Sequence, residues 1–419
     1  MAKFLISGGK KLSGEIKVSG SKNAVLALMA ACLLTEDECT LANVPEIDDV
    51  RSMAEILKAL GVEVKLDRHK LVIRASEIKN TKPSGEWASK LRGSILCLGP
   101  LLARAKNADF PFPGGDLIGK RPIDAHLEAF KILGAAADTS SGTLKIATPG
   151  LIGAKVVLEE TSVTATENIM MAATLASGTT VIKLAAMEPH VQQLGIFLKK
   201  MGAKIKGIGT PTITIIGVSR LHGAKIKVIP DSEEAASLIT LAAATRSDVK
   251  VSRLNPEFLE DYLLKLKKMN VQFEVGSDFV HIHAPAGEYH ATKLQVGFYP
   301  KLNSDFIPPM SVLATQAVGD TLIYDWLYEN RTGYVPELVK MGATAEVLDP
   351  HKVRISGPTP LRGANLNSSD LRMGVTLVIA ALIAEGRSEI IDIHHIDRGY
   401  EHFEKRLKKL GADIKRLET

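Results

Sequence analysis

The stretch EILKALGVEVKLDRHKLVIRA (residues 55–75) decides the fold. Its first half has the apolar spacing of an amphipathic helix, and Gly61 stands where that helix must stop. Glycine suits the position because it accepts the left-handed backbone that often closes a helix C-terminus. Beyond Gly61 come two short segments of alternating apolar and polar residues, the pattern of a β-hairpin.

The same pattern recurs through the chain. It appears as EILKALGVEVKL, AFKILGAAAD, FLKKMGAKIKG, LKLKKMNVQFEV, LVKMGATAEV and RLKKLGADIKR. The residues at the helix stop are Gly61, Gly134, Gly202, Asn270, Gly342 and Gly411, spaced by 73, 68, 68, 72 and 69 residues. Five glycines and one asparagine are the residues that best tolerate a left-handed conformation. A period near 70 residues means six copies of one supersecondary unit.

Each copy carries a second helix of another kind. These six are AVLALMAACLL, GSILCLGPLLA, ENIMMAATLA, EAASLITLAAAT, IPPMSVLATQA and GVTLVIAALIA. They are apolar nearly all round, so they belong inside a domain. A chain of 419 residues exceeds one ordinary core, and six units divide as three plus three. The expected fold is α/β: two domains of three βαβαββ-type units, with apolar helices inside and sheets and amphipathic helices outside. After Gly411 only ADIKRLET remains, so the last hairpin lacks a strand, which the N-terminal KFLIS can supply. The expected domains are therefore 22–229, carrying a loop at 111–121, and 1–21 with 230–419. Two linkers suit a hinge that closes over substrates.

Composition narrows the function. Apolar residues make up 45% and charged residues 24%, the mix of a folded soluble protein. A net charge of +5 without a basic block argues against nucleic acid and fits a small anionic substrate. Cys32, Cys39 and Cys97 have no paired spacing, which suggests a reducing compartment. No leader-like segment is evident, and apolar runs are too short to span a bilayer, so a soluble cytoplasmic protein is expected.

Ionic and amide residues stand at the starts of the apolar helices. They are Lys22 and Asn23, Arg92, the segment from Thr161 to Asn168, Asp305, and Asp370 with Arg372. An aspartate or serine there is also an ordinary N-cap. Repetition of the placement favours a second role, because helix N-termini attract phosphates and carboxylates. Several such ends are expected to converge on a cleft between the domains. PFPGGDLIGKRPIDAH (111–126) departs most from the repeat and reads as a mobile loop centred on Asp116, followed by Arg121, Asp124 and His126. A carboxyl desolvated by loop closure gains a raised pKa and becomes a general acid. Arg331 and Arg398 each precede an amphipathic helix and can grip an anion bidentately. His394 and His395 have no further ligand at useful spacing, so no metal is expected there.

SGSKNAVLALMAACLL, LRGSILCLGPLLA, PGGDLIGKRPIDAH, SVTATENIMMAA, ENR…PELVKMGA, DLRMGVTLVIAALIAEG and HIDRGYE together resemble the UDP-N-acetylglucosamine 1-carboxyvinyltransferases, along the whole chain and in order. The resemblance implies two inside-out α/β barrels, the enolpyruvyl transferase fold. It also implies transfer of enolpyruvate from phosphoenolpyruvate to the nucleotide sugar, the first committed step of peptidoglycan synthesis, by a cytoplasmic monomer. It implies no cofactor, metal, nucleic acid or membrane.

Carried over, Lys22 and Asn23 meet phosphoenolpyruvate and the sugar. Arg92 and Arg121 serve the phosphates, and Arg121 with Pro122, Ile123, Asp124 and Ala125 holds the uridine end. Ser162 and Val163 form the diphosphate turn. Asp305 and Leu327 contact the sugar. Arg331, Arg372 and Arg398 bind the enolpyruvyl carboxylate and phosphate, with Asp370 ordering them. Lys22, Asp116, Asp305 and Arg398 are the catalytic set, with Asp116 as acid and Asp305 as base.

Four departures from the family pattern stand out: Asp116 where most members have cysteine, Thr164 for glycine, Ser232 for arginine, and NSD for PTD before the base. A carboxylate attacks an epoxide far less readily than a thiolate, so insensitivity to fosfomycin is expected. The shikimate-pathway enolpyruvyl transferase and a non-catalytic nucleotide-sugar-binding paralogue are the alternatives.

Overall fold

A computed structural model describes residues 2–83, 85–114, 122–140, 142–329 and 331–418. All six helix-stop residues have positive φ, from 63° at Asn270 to 103° at Gly202. Each stop closes by the same pair of backbone bonds. Gly61 N–H donates to Lys58 O (2.9 Å) and Val62 N–H to Leu57 O (3.1 Å), with equivalents at every copy down to Ala412 and Leu407 (3.2 Å). The last helical carbonyls are thereby satisfied and the chain is aimed into the hairpin.

The hairpins form as the alternation requires, for example Glu63–Asp67 with Lys70–Arg74 and Lys204–Lys206 with Thr212–Ile216. The N-terminal strand Lys3–Ser7 pairs antiparallel with Asp413–Leu417 and completes the final hairpin. The chain divides into two compact units, one of Gly20–Ile229 and one of residues up to Ser19 joined to those from Pro230 on, leaving aside 115–121.

Each unit has its own core built on three buried helices. In the first these are Lys22–Ala31, Leu98–Ala105 and Val163–Ala173. In the second they are Ser232–Ala244, Ile307–Ala314 and Leu371–Ile383. Two of the six helices begin as 3₁₀ turns: Arg92–Cys97 and Ser304–Phe306 lead into Leu98–Ala105 and Ile307–Ala314. Prolines at 100, 308 and 309 explain this, since proline is tolerated in the first turn of an α-helix and not deeper. All three cysteines are buried and free. Among the described residues no helix is long and apolar enough to cross a membrane.

In a regular copy, the short strand before the buried helix pairs in parallel with the strand after it, as Lys155–Val157 does with Thr179–Lys183. The two copies at the unit boundary exchange these leading strands. Ser13–Lys17 pairs with Asp248–Ser252, and Lys225–Lys227 pairs with Glu38–Ala42. One crossing is pinned at Ser19, whose N–H donates to Glu234 Oε2 (2.6 Å) and whose carbonyl accepts from Asp231 N–H (3.0 Å). Arg406 reaches the buried Glu234 as well.

Candidate active site

In the Gly20–Ile229 unit the helix starts carry the polar residues. Ser21 caps Lys22–Ala31, its hydroxyl accepting from Ala24 N–H (3.3 Å). Lys22 is the first residue of that helix and lies 3.6 Å from Asp49 Oδ2, with both side chains largely buried. Asp49 was not foreseen. It sits in the first turn of Asp48–Ala59, where a carboxylate is favoured by the helix dipole. Asn23 follows Lys22 and is half-buried.

Arg92 opens the Arg92–Cys97 turn and donates to Pro122 O (3.4 Å). That turn is fixed on both sides. A Cβ on Gly93 would stand 3.0 Å from Leu26 Cδ1. On the other side Asn168 accepts from Gly99 N–H (2.8 Å) and donates to Ile95 O (3.0 Å). Gly99 has no substitute here, because a Cβ would meet Asn168 O at 2.3 Å. Arg92 is thus locked to the Val163–Ala173 helix, which Ser162 caps by accepting from Ala165 N–H (3.4 Å).

Ile123 precedes the helix Asp124–Ile132, with Asp124 exposed and Ala125 buried. One turn in, the buried His126 bonds Thr164 Oγ1 through Nε2 (3.0 Å). Burial, helped by the Arg92 charge, pushes the His126 pKa down to about 3, so its ring is neutral. The structure therefore brings Arg92, Pro122, Ile123, Asp124, Ala125, Ser162 and Val163 into one neighbourhood. Thr164, a departure from the family pattern, acquires a purpose as the partner of His126. Deeper on the same helix, burial and then the charge of Glu188 push the Glu167 carboxyl well above the usual range. Asp116 and Arg121 lie outside the described residues.

The second unit holds a dense ionic cluster. Asp305 is gripped by Arg331 through one oxygen and by Arg372 Nε through the other (2.8 Å). Both arginines are about 95% buried, at 6% and 5% exposed. Arg372 also donates to Tyr400 OH (3.0 Å), which shares a hydrogen bond with Ser237 Oγ (2.8 Å). Asp370 caps Leu371–Ile383, accepting from Arg372 N–H (2.9 Å) and Met373 N–H (3.0 Å). Asp305 is not a cap: Asn303 caps its turn, accepting from Asp305 N–H (2.9 Å). The Asp305 carboxylate is thereby left to the two arginines. Leu327 is tied in through Asp325, which accepts from Leu327 N–H (3.1 Å) and from the Ser304 hydroxyl. Arg398 ends the His394–Asp397 helix, two residues before Tyr400, and is half-buried.

Glu233 was also missed. It is 2% exposed, accepts from Asn303 Nδ2 (3.4 Å) and from Ser232 Oγ (3.2 Å), and lies in the field of Asp231, Arg372 and Asp305. Burial, with Asp231 next, pushes its carboxyl up to about 8, although Arg372 opposes this. The signal was in the sequence: PDSEE puts three acids at the start of a helix that is otherwise apolar. Such a helix start takes one acid as a cap, and further acids there need another reason.

The sequence profile of the EPSP synthase (3-phosphoshikimate 1-carboxyvinyltransferase) family matches residues 6–407. A UDP-N-acetylglucosamine 1-carboxyvinyltransferase of Koribacter versatilis is 41% identical, with 100% of this chain and 97% of that one covered. One from Treponema denticola is 40% identical over 99% of both chains. Among solved structures, the enolpyruvyl transferase NikO from Streptomyces tendae superposes with a TM-score of 0.90 at 24% identity, covering 100% of this chain and 99% of that one. EPSP synthase from Acinetobacter baumannii gives 0.77 at 18%, with both chains fully covered. The fold is that of the enolpyruvyl transferases, and the chain belongs to the EPSP synthase family and, within it, to the UDP-N-acetylglucosamine 1-carboxyvinyltransferases.

Proposed function

We propose that this chain transfers the enolpyruvyl group of phosphoenolpyruvate to the 3′-hydroxyl of UDP-N-acetylglucosamine, releasing phosphate and opening peptidoglycan synthesis. The observation that carries this reading is the carboxylate of Asp305 held between Arg331 and Arg372 at the mouths of two buried helices.

Asp305 takes the proton of the 3′-hydroxyl as its oxygen bonds to C2 of phosphoenolpyruvate. Asp116 delivers a proton to the terminal methylene, which becomes a methyl group. In the second half, one methyl proton returns to Asp116, the double bond re-forms and the C2–O bond to phosphate breaks, the departing phosphate taking the proton held by Asp305. Atoms and charge balance without a redox partner. Lys22, Arg331, Arg372 and Arg398 take the negative charge of the donor and of the departing phosphate. Asn23 and Leu327 contact the sugar. Arg92, with Arg121, Pro122, Ile123, Asp124, Ala125, Ser162 and Val163, holds the nucleotide and its diphosphate.

A carboxylate gripped by two guanidiniums is a poor proton acceptor. An arriving carboxylate and phosphate compete with Asp305 for those guanidiniums. Donor binding therefore releases the base, and Asp370, which holds the Arg372 backbone, keeps that arginine in place meanwhile. The protein acts as a cytoplasmic monomer without a cofactor and resists fosfomycin, because Asp116 stands where a thiolate would be alkylated.

Phosphate release from phosphoenolpyruvate is the test. Release with UDP-N-acetylglucosamine and none with shikimate 3-phosphate is expected. The reverse preference would place the chain with the shikimate enzymes, and no release with either acceptor would make it a binding paralogue.

A further inference from the structure

Outside the residues assigned to the reaction, Asp248, His281 and His283 form a cluster of donor atoms with no role in it. It lies on the open face of the sheet formed by Ser13–Lys17, Asp248–Ser252, Phe279–Ile282 and Phe273–Val275. Strand register pairs Val249 with Ile282 and Lys250 with His281, so Asp248 stands across from His283 and diagonal to His281. Successive residues point to opposite faces, which puts all three side chains on one side.

The atoms converge. His281 Nε2 lies 2.8 Å from Asp248 Oδ1, and His283 Nδ1 lies 3.5 Å from Asp248 Oδ2. All three donor atoms fall within 4.8 Å of one another. The two rings are tilted at 47° with centroids 4.5 Å apart, presenting different nitrogens to the same carboxylate.

We propose that Asp248, His281 and His283 form a binding site for a divalent transition metal ion of the zinc type. Bonds of about 2.0–2.1 Å in a tetrahedral site need donors about 3.3–3.4 Å apart. His281 Nε2 and His283 Nδ1 approach different oxygens of the Asp248 carboxylate, at 2.8 and 3.5 Å, so side-chain rotation is what brings both nitrogens and one oxygen to that spacing. Two imidazoles and one carboxylate suit zinc, cobalt or copper better than calcium or magnesium, which prefer all-oxygen sets.

The surroundings favour a cation. Lys250, which pairs with His281 across the strands, has its ammonium drawn 4.0 Å over the Phe279 ring. Glu274 stands opposite His281 on the far strand and adds negative charge. The backbone is held, His283 N–H donating to Gln272 O (3.0 Å). The side chains are 58%, 28% and 42% exposed for Asp248, His281 and His283, leaving an approach for the ion and a fourth position for water.

The test is titration of the full-length protein with Co²⁺, followed by displacement with Zn²⁺. One saturable site with the visible absorption of tetrahedral cobalt is expected, together with a rise in melting temperature on adding zinc. His281→Ala and His283→Gln should each weaken binding at least about tenfold and abolish the thermal shift. His394→Ala, which removes one of the other adjacent histidines, should change neither readout. Melting curves without metal establish that each variant folds. Equal cobalt affinity in parent and in the His281→Ala/His283→Gln double variant, or no saturable binding in the parent, would overturn the proposal. Neither result bears on the transferase reading, which is measured by phosphate release.

Discussion

Glu233 should make the second unit lose stability as the pH rises from about 4.5 to about 8. Its carboxyl, normally near 4.5, is raised to about 8 by burial and by Asp231. Between those values the folded protein keeps a proton that the unfolded chain has released. Stability is therefore full below about pH 4.5, falls as pH rises, and levels off beyond about pH 8. The slope is at most about 1.4 kcal/mol per pH unit, and the whole window amounts to roughly 5 kcal/mol at most. Glu233→Gln keeps the shape and cannot ionise, so it removes the window.

The chain has two tryptophans, Trp87 and Trp326, one in each unit. Urea unfolding in a Trp87→Phe background, followed by the fluorescence of Trp326, reports on the unit that holds Glu233. The stability difference between the Gln variant and its parent should grow by about 1 kcal/mol or more per unit from about pH 5 to pH 8, then stay constant. Asp231, Asp305 and Arg372 face the same carboxyl and are present in both proteins. Parallel pH profiles for the two proteins would refute the buried, protonated Glu233.

Three further perturbations follow from the same geometry. Thr164→Gly strips the buried His126 of its hydroxyl partner and should cost about 1–3 kcal/mol in urea unfolding; Thr164→Ser should restore it, and equal losses in both would show that the bond contributes nothing. Asp305→Asn should reduce turnover about 10²–10⁴-fold while nucleotide-sugar binding, measured by calorimetry, survives; turnover at the parent level would remove Asp305 as the base. Asp116→Cys should make the protein susceptible to irreversible inactivation by fosfomycin while the parent resists, and rapid inactivation of the parent would sink the reading of that loop.

The sequence was most legible where a local rule repeats. Glycine or asparagine at the six helix stops reports a left-handed residue, and each one has positive φ. All-round apolar helices report burial, and all six lie in the two cores. The missing strand at the C-terminus pointed to Lys3–Ser7, and that pairing is present. Less legible was anything set by distance along the chain. Asp49 beside Lys22 and Tyr400 beside Arg372 carry no local mark, because an ion pair or hydrogen bond constrains spatial separation and not sequence separation.

By itself, the sequence determined the repeated unit, the inside and outside of each helix, and the set of polar residues at the helix starts. These follow from backbone sterics and from the cost of exposing apolar surface, which act over a few neighbouring residues. Tertiary structure alone decided that the copies at the boundary exchange their leading strands, that Asp305 is held by two arginines instead of capping a helix, and that Glu233 keeps a proton. Each of these depends on which side chains burial forces together. In a low-dielectric interior, the choice of neighbour sets both the pairing and the charge.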